Sequence, residues 1–251
     1  MTLTDSLAIF VAGIGAGTIN TIVGSGTLIT FPTLLAIGYP PVLANVSNTV
    51  GLVPGSVSGA FGYRRELEGQ RSRLIRLGSA SLLGGIAGAF LLLRLPESAF
   101  RAIVPVLVAM GCVLVVVQPW IATHVTPREQ APAHGSAPVW VLVFLTGIYG
   151  GYFGAAQGVL LIAVMGIGMT ETMQRINAAK NVLAGVVNGV AAVVFIAVSD
   201  VSWAAAGLIA VGSVIGGQLG ATVGRRLPAP VFRGFVVVVG IVVVVKLVVF
   251  A

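Results

Sequence analysis

The chain has 251 residues, of which only 8% are charged and 57% hydrophobic, and 14 Lys and Arg against 7 Asp and Glu leave a formal net charge of +7. A soluble domain carries about 25% charged residues to wet its surface, so this composition, with a mean hydropathy of +1.05, excludes a soluble enzyme, a disulfide scaffold and a disordered tail. What remains is an all-α polytopic membrane protein whose basic residues orient loops against the bilayer; no basic patch interleaved with aromatics supports binding to nucleic acid.

In chain order the apolar runs are 7–23, 27–37, 42–63, 74–93, 100–117, 139–168 with breaks, 173–198, 203–223 and 231–250. The start of the chain lacks the positive region of a signal peptide, so its apolar run reads as retained. The first two runs flank Gly24, Ser25 and Gly26, with Asn20 before them and Thr27 after. Runs of about 17 and 11 residues fall short of the ~20 that cross a bilayer comfortably, which favours a re-entrant pair over two thin crossings. The third run is polar for lipid, carrying Asn45, Ser47, Asn48 and Thr49; Asn45 and Thr49 share a helix face. The single cysteine, Cys112, lies in the fifth run and can form no internal disulfide.

Residues 118–138 form the only long polar stretch and divide the chain into a first repeat, 1–117, and a second, 139–251. Its two histidines, His124 and His134, read as solvated side chains. Past it the pattern recurs: at an offset of 134, Gly13, Gly17, Gly24, Gly51 and Ser79 land on Gly147, Gly151, Gly158, Gly185 and Ser213, and at 132, Arg94, Leu95, Pro96, Phe100 and Arg101 land on Arg226, Leu227, Pro228, Phe232 and Arg233. The second break is Gly154 to Gly158 with Gln157 inside it. The run after it carries Asn177, Lys180, Asn181 and Asn188, with Asn177 and Asn181 on one face.

Loop charges decide the relation between the halves. If each half crosses an odd number of times, Arg64, Arg65, Arg71, Arg73, Arg76, Arg128, Arg175, Lys180, Arg225, Arg226 and Arg233 lie inside and only Arg94 and Arg101 outside. By the positive-inside rule the repeats are therefore inverted, each a broken or re-entrant pair followed by three transmembrane helices. Matching breaks in inverted halves point to a substrate site near the midplane, where half-helix ends present unpaired backbone groups. The bland reading of the glycines is close helix packing.

Lys180 has two readings. It snorkels to the inner surface beside Arg175, or it faces an anionic substrate, because a charge in the membrane needs a reason and no carboxylate sits in an apolar run to pair with it. The seven acids, Asp5, Glu66, Glu68, Glu97, Glu129, Glu171 and Asp200, fall in termini or loops, which disfavours a cation pathway or a carboxylate proton relay. Nothing in the residue inventory makes an enzyme, a metal site or a cofactor site.

The stretches GTINTIVGSGTLITFPTLLAIGYPPVLANVSNTVGLVPGSVSGAFGYRREL and ETMQRINAAKNVLAGVVNGVAAVVFIAV resemble the two signature regions of the TauE/SafE sulfite exporter family, also called TSUP, and the resemblance covers essentially the whole chain. The glycine pair usual in the family's first break is here Gly24 and Gly26, separated by Ser25. The resemblance implies a multi-pass inner-membrane transporter of small anions such as sulfite, a sulfonate or a related organosulfur or carboxylate anion. On this reading the substrate-binding residues are Asn20, Ser25, Gly26, Thr27, Ser47, Asn48, Gln157, Asn177, Lys180 and Asn181, acting by alternating access, with the lipid bilayer the only other partner. The competing class is a non-transporting membrane assembly or structural subunit.

Overall fold

A computed structural model describes residues 1–124 and 135–222, together with 234, 237, 238 and 240–242; the side chains of 121–124 are outside that description. Among the described residues there are nine helices and no strand: α1 (Leu3–Ile22), α2 (Thr27–Ile37), α3 (Pro41–Gly62), α4 (Arg71–Arg94), α5 (Glu97–His124), α6 (Ala137–Tyr152), α7 (Gln157–Gly168), α8 (Met173–Val198) and α9 (Trp203–Thr222). Each apolar run from 7 to 223 has its helix. Of the run 231–250 only 234, 237, 238 and 240–242 are described, and the basic residues Arg128, Arg225, Arg226 and Arg233, with Glu129 and His134, lie outside the described residues. Helix α5 continues through Pro119 to His124, so 118–124 of the polar stretch are helical.

Local chemistry sets the boundaries. A reciprocal cap opens α1, in which the Thr2 hydroxyl accepts from Asp5 N–H at 3.1 Å and the Asp5 carboxylate accepts from Thr2 N–H at 2.7 Å. Gly38, at φ +102°, closes α2 in the left-handed conformation that glycine adopts freely. Among the described residues five helices are long and apolar enough to cross a membrane: α1, α4, α5, α8 and α9. At 20 residues α1 reaches about 30 Å, so it is longer than its apolar run indicated, whereas its counterpart α6 has only 16 residues. Helix α3 has 22 residues, but buried Asn45, Ser47, Asn48, Thr49, Ser56 and Ser58 make it the most polar of the long helices in the interior.

The packing crosses the two halves of the chain. The broadest helix contact is α1 on α9, followed equally by α4 on α6 and α3 on α9, and then equally by α3 on α8 and α4 on α8. Under the repeat correspondence α1 matches α6 and α4 matches α9, so the pairing α1 with α9 is the counterpart of α6 with α4. One apolar cluster joins Leu77 and Ala80 of α4 to Val139 and Val143 of α6, Met165 of α7 and Leu183 of α8. A second, larger cluster draws Ala205 and Ile209 of α9 into a core with Ile9, Phe31 and Leu52. Each half thus completes its core with the fourth helix of the other. Outward-facing Leu82, Leu83, Phe90, Val193 and Val211 are exposed, as expected where lipid is the solvent.

Small residues at matching positions allow these crossings. A Cβ on Gly216 would overlap the Ile14 carbonyl, and one on Gly88 would overlap the Ile148 carbonyl. Both obstacles are backbone and cannot swing aside. By contrast, nothing lies within 4 Å of a Cβ placed on Gly189.

Gly216→Ala and Gly88→Ala are therefore expected to push α9 off α1 and α4 off α6. Each should cost about 1–3 kcal/mol or more, the range for overpacking, and be seen as a lowered Tm of the purified protein. Gly189→Ala should leave Tm unchanged or raise it, since Ala outranks Gly in a helix by up to ~1 kcal/mol.

Candidate functional site

The two breaks meet. Helix α1 ends at Ile22, and Gly24, at φ +87°, reverses the chain into α2; α6 ends at Tyr152, and Gly154 and Ala156, both at positive φ, lead into α7. Gly24 and Gly158, equivalent at the offset of 134, lie against each other. The Gly158 N–H donates to the Gly24 carbonyl at 3.0 Å, and a Cβ on either glycine would overlap the other's backbone. The Phe31 ring of α2 stands edge-on to Phe153 of the second break with centroids 5.1 Å apart, and the Tyr149 hydroxyl donates to the Ala155 carbonyl. Helices α2 and α7 therefore begin on either side of one point, each bringing the partial positive charge of its N-terminal turn.

The last carbonyls of α1, left over by the end of the helix, are bonded from the other half of the chain. Lys180 Nζ of α8 donates to the Asn20 carbonyl at 2.8 Å and the Thr21 carbonyl at 3.1 Å. Asn177 and Asn181 donate to the same Thr21 carbonyl at 3.2 and 3.3 Å. Lys180 is 0% exposed. It does not snorkel to the surface, and the expectation that no group of the protein meets its charge is corrected: the negative end of α1 does. Helix α1 has no basic residue of its own in its last turn. The end of α6 is held from the first half in turn, by Asn45 Nδ2 donating to the Tyr152 carbonyl at 3.0 Å.

Helix α3 also grips the start of α2. Asn48 Nδ2 donates to Thr27 Oγ1 at 3.3 Å, and the Thr30 hydroxyl donates to Asn48 Oδ1. Of the ten residues expected in the site, nine gather at the breaks: Asn20, Ser25, Gly26 and Thr27 on the first, Gln157 on the second, Asn48 from α3, and Asn177, Lys180 and Asn181 from α8. Ser47 does not join them. It is buried on another side of α3, where it accepts from Ser202 N–H at 2.9 Å and so holds the start of α9. Residues outside that expectation also belong here: Thr30, Asn45, Tyr149 and the pair Gly24 and Gly158. The pair was visible in the repeat as matching glycines, but contact between matching positions has no sequence signal.

Polar atoms without a partner mark where the arrangement is incomplete. Among the buried atoms of the described residues, Ser25 Oγ, Gln157 Nε2, Asn45 Oδ1 and Asn177 Oδ1 make no hydrogen bond. Ser25 and Gln157 stand at the starts of α2 and α7 and are 0% and 3% exposed. A buried polar group left unpaired costs about 1–3 kcal/mol.

At the end of α8 nearest Lys180 an ionic cluster ties the halves together. Glu171, between α7 and α8, takes Arg73 of α4 at 3.0 Å on one carboxylate oxygen and Arg175 of α8 at 2.9 Å on the other. Buried Gln70 accepts from Arg73 at 2.6 Å and donates to the Arg175 carbonyl at 3.0 Å. Burial by itself would raise the Glu171 carboxyl, but the bond from Arg73, the Thr172 N–H and Arg175 outweigh it and hold the carboxyl below the ordinary carboxylate range. Lys180 lies seven residues into α8, about 10 Å deeper than this cluster.

A family model described as "Sulfite exporter TauE/SafE" matches residues 9–247. The chain is 25% identical over 247 residues to "Probable membrane transporter protein YfcA" of Escherichia coli strain K12, covering 95% of this chain and 88% of that protein. It is 26% identical over 250 residues to "Probable membrane transporter protein ORF9" of a Sinorhizobium species, with 95% and 90% covered. A "Probable membrane transporter protein" of Haemophilus influenzae is 24% identical over 245 residues, with 97% and 95% covered.

The Glu171 cluster has a pH signature. Its carboxyl is lowered on folding, so as pH falls the unfolded chain takes up the proton first. The cluster's stabilisation is then complete above about pH 5 and is lost progressively as pH falls from the ordinary Glu value of about 4.3 through the lowered value of the folded protein. Glu171→Gln is expected to lower stability by about 1–2 kcal/mol at pH 7, and the gap in Tm to the parent protein should close as pH is taken from 7 to below about 4.

Proposed function

The chain belongs to the sulfite exporter TauE/SafE family, and from that premise we propose that this membrane transporter moves a small anion, such as sulfite, a sulfonate or a related organosulfur or carboxylate anion, across the inner membrane. The observation that carries the reading is the meeting of the two breaks at Gly24 and Gly158, with the starts of α2 and α7 beside it and the Ser25 hydroxyl and Gln157 amide buried there without partners. Helix N-termini attract anions, and an anionic oxygen is the acceptor that Gln157 Nε2 and Ser25 Oγ need.

The roles divide by what each group already bonds. Ser25, Gln157 and the backbone N–H groups of Gly26 and Thr27 hold the anion directly. Asn48 fixes the first turn of α2. Lys180, Asn177 and Asn181 hold the end of α1 and so the position of the first break, with Asn20 lending its carbonyl.

In this reading the two repeats, 1–117 and 139–251 joined by 118–138, are inverted, and access alternates as one group of helices rocks against the other around the breaks. The crossed packing of α1 on α9 and α4 on α6 supports it, because each rocking group then contains helices of both repeats. The Arg73–Glu171–Arg175 cluster closes the basic face in the conformation described.

Uptake of labelled sulfite and sulfonates into vesicles holding the purified protein tests the function; no flux for any anion would favour an assembly subunit instead. Ser25→Ala and Gln157→Leu should each weaken transport about tenfold or more with insertion intact, since a hydrogen bond to a charged ligand is worth about 1.5–3 kcal/mol and ~1.4 kcal/mol is a factor of ten. Lys180→Gln should abolish or strongly weaken it at matched protein levels. Tags at the two termini are expected on the outer side and a tag in the 64–70 loop inside; termini on opposite sides would rule out inversion.

A further inference from the structure

The carbonyl end of an interrupted membrane helix is a cation position. Its last C=O groups have no helical partner, carry the negative end of the helix dipole and cannot turn to bulk water. Broken-helix transporters commonly fill such an end with a coupling ion, sodium or a proton. The end of α1 in this protein is filled from within. Lys180 Nζ lies 2.8 Å from the Asn20 carbonyl and 3.1 Å from the Thr21 carbonyl, and no part of the side chain is exposed. Its stem runs past the crossing of the two breaks, close enough that a Cβ on Gly158 would come within 2.9 Å of Lys180 Cδ.

Nothing else described offers this ammonium a negative charge. Asp5 and Glu97 sit in the first turns of α1 and α5, and Glu66, Glu68, Glu171 and Asp200 lie between helices. The arrangement is also one-sided. Val46 of α3 stands at the position that the offset of 134 matches to Lys180, and the end of α6 takes the neutral amide of Asn45.

We infer that Lys180 is a tethered substitute for a coupling cation: its ammonium occupies the cation position at the end of α1, so that the first break is formed, and the transport cycle runs, without a sodium ion bound there. The statement about the cycle rests on the transport function proposed above; the statement about the cation position does not. Removing the ammonium should leave two carbonyl oxygens and a buried space that a free cation can enter.

The test is the Tm of the purified full-length protein in sodium, potassium or choline chloride at equal ionic strength, for the parent, Lys180→Ala and Lys180→Gln. The parent is expected to melt at the same temperature in all three salts. Lys180→Ala should melt lower in choline and regain about 2–4 °C in sodium or in propylammonium chloride, the shift expected from occupancy of a new site at a few times its Kd in a chain of this size. Lys180→Gln, whose amide can turn its oxygen to a cation, should respond to sodium alone. A variant that folds only when sodium or propylammonium is present during extraction counts as the same result.

A sodium-stabilised parent, variants that melt like the parent in every salt, or variants weakened alike in every salt would each overturn the inference. A vesicle assay separates it from the transport reading. Equal anion flux with and without a sodium gradient is expected. Flux that requires the gradient would overturn the tethered cation and keep the anion transporter, whereas no flux of any anion would remove the transporter and leave the melting result standing.

Discussion

In lipid a backbone carbonyl or N–H without a partner has no water to turn to, and this protein interrupts two helices in its interior. Everything around the breaks answers that demand. The end of α1 is met by Lys180, Asn177 and Asn181, the end of α6 by Asn45, and the Gly24 carbonyl by the N–H of Gly158. The carbonyl end of each broken helix is bonded from the other half of the chain, so neither half can complete its own break.

The same reciprocity governs the apolar packing. Helix α9 lies on α1 and α4 on α6 because glycines at matching positions let backbones touch, and dispersion between closely approaching helices is what lipid leaves available to hold a bundle together. The exchange of fourth helices and the exchange of helix caps reinforce each other. Pushing α9 away from α1 would disturb the helix whose end Lys180 holds, and shifting α8 would remove that cap directly.

Satisfied and unsatisfied groups stand side by side at one crossing. Lysine and two asparagines are committed to the carbonyl end of α1, while a serine hydroxyl and a glutamine amide at the starts of α2 and α7 are left without partners. The carbonyl ends of α1 and α6 are bonded by the other half of the chain, whereas these two side-chain groups at the helix starts are not. The ionic cluster around Glu171 sits outside this crossing and links α4 of one half to the α7–α8 connection of the other.

Composition and pattern alone determined the class, the helical runs through residue 223 and the positions of both breaks. These depend on hydropathy over about 20 residues and on glycines and polar residues inside apolar runs, all of which are local. The gathering of nine expected residues at the breaks was legible for the same reason, since Asn, Ser, Gln and Lys in lipid must point inward. What each of them touches was decided only in three dimensions. Ser47 and Asn48 are neighbours in α3, yet one holds the start of α9 and the other the start of α2, because adjacent positions on a helix face different partners. Lys180 lacks any carboxylate in the sequence to explain it, because its partner is the dipole end of a helix 160 residues away in the chain, and backbone carbonyls are the same in every sequence until the fold leaves some of them unpaired.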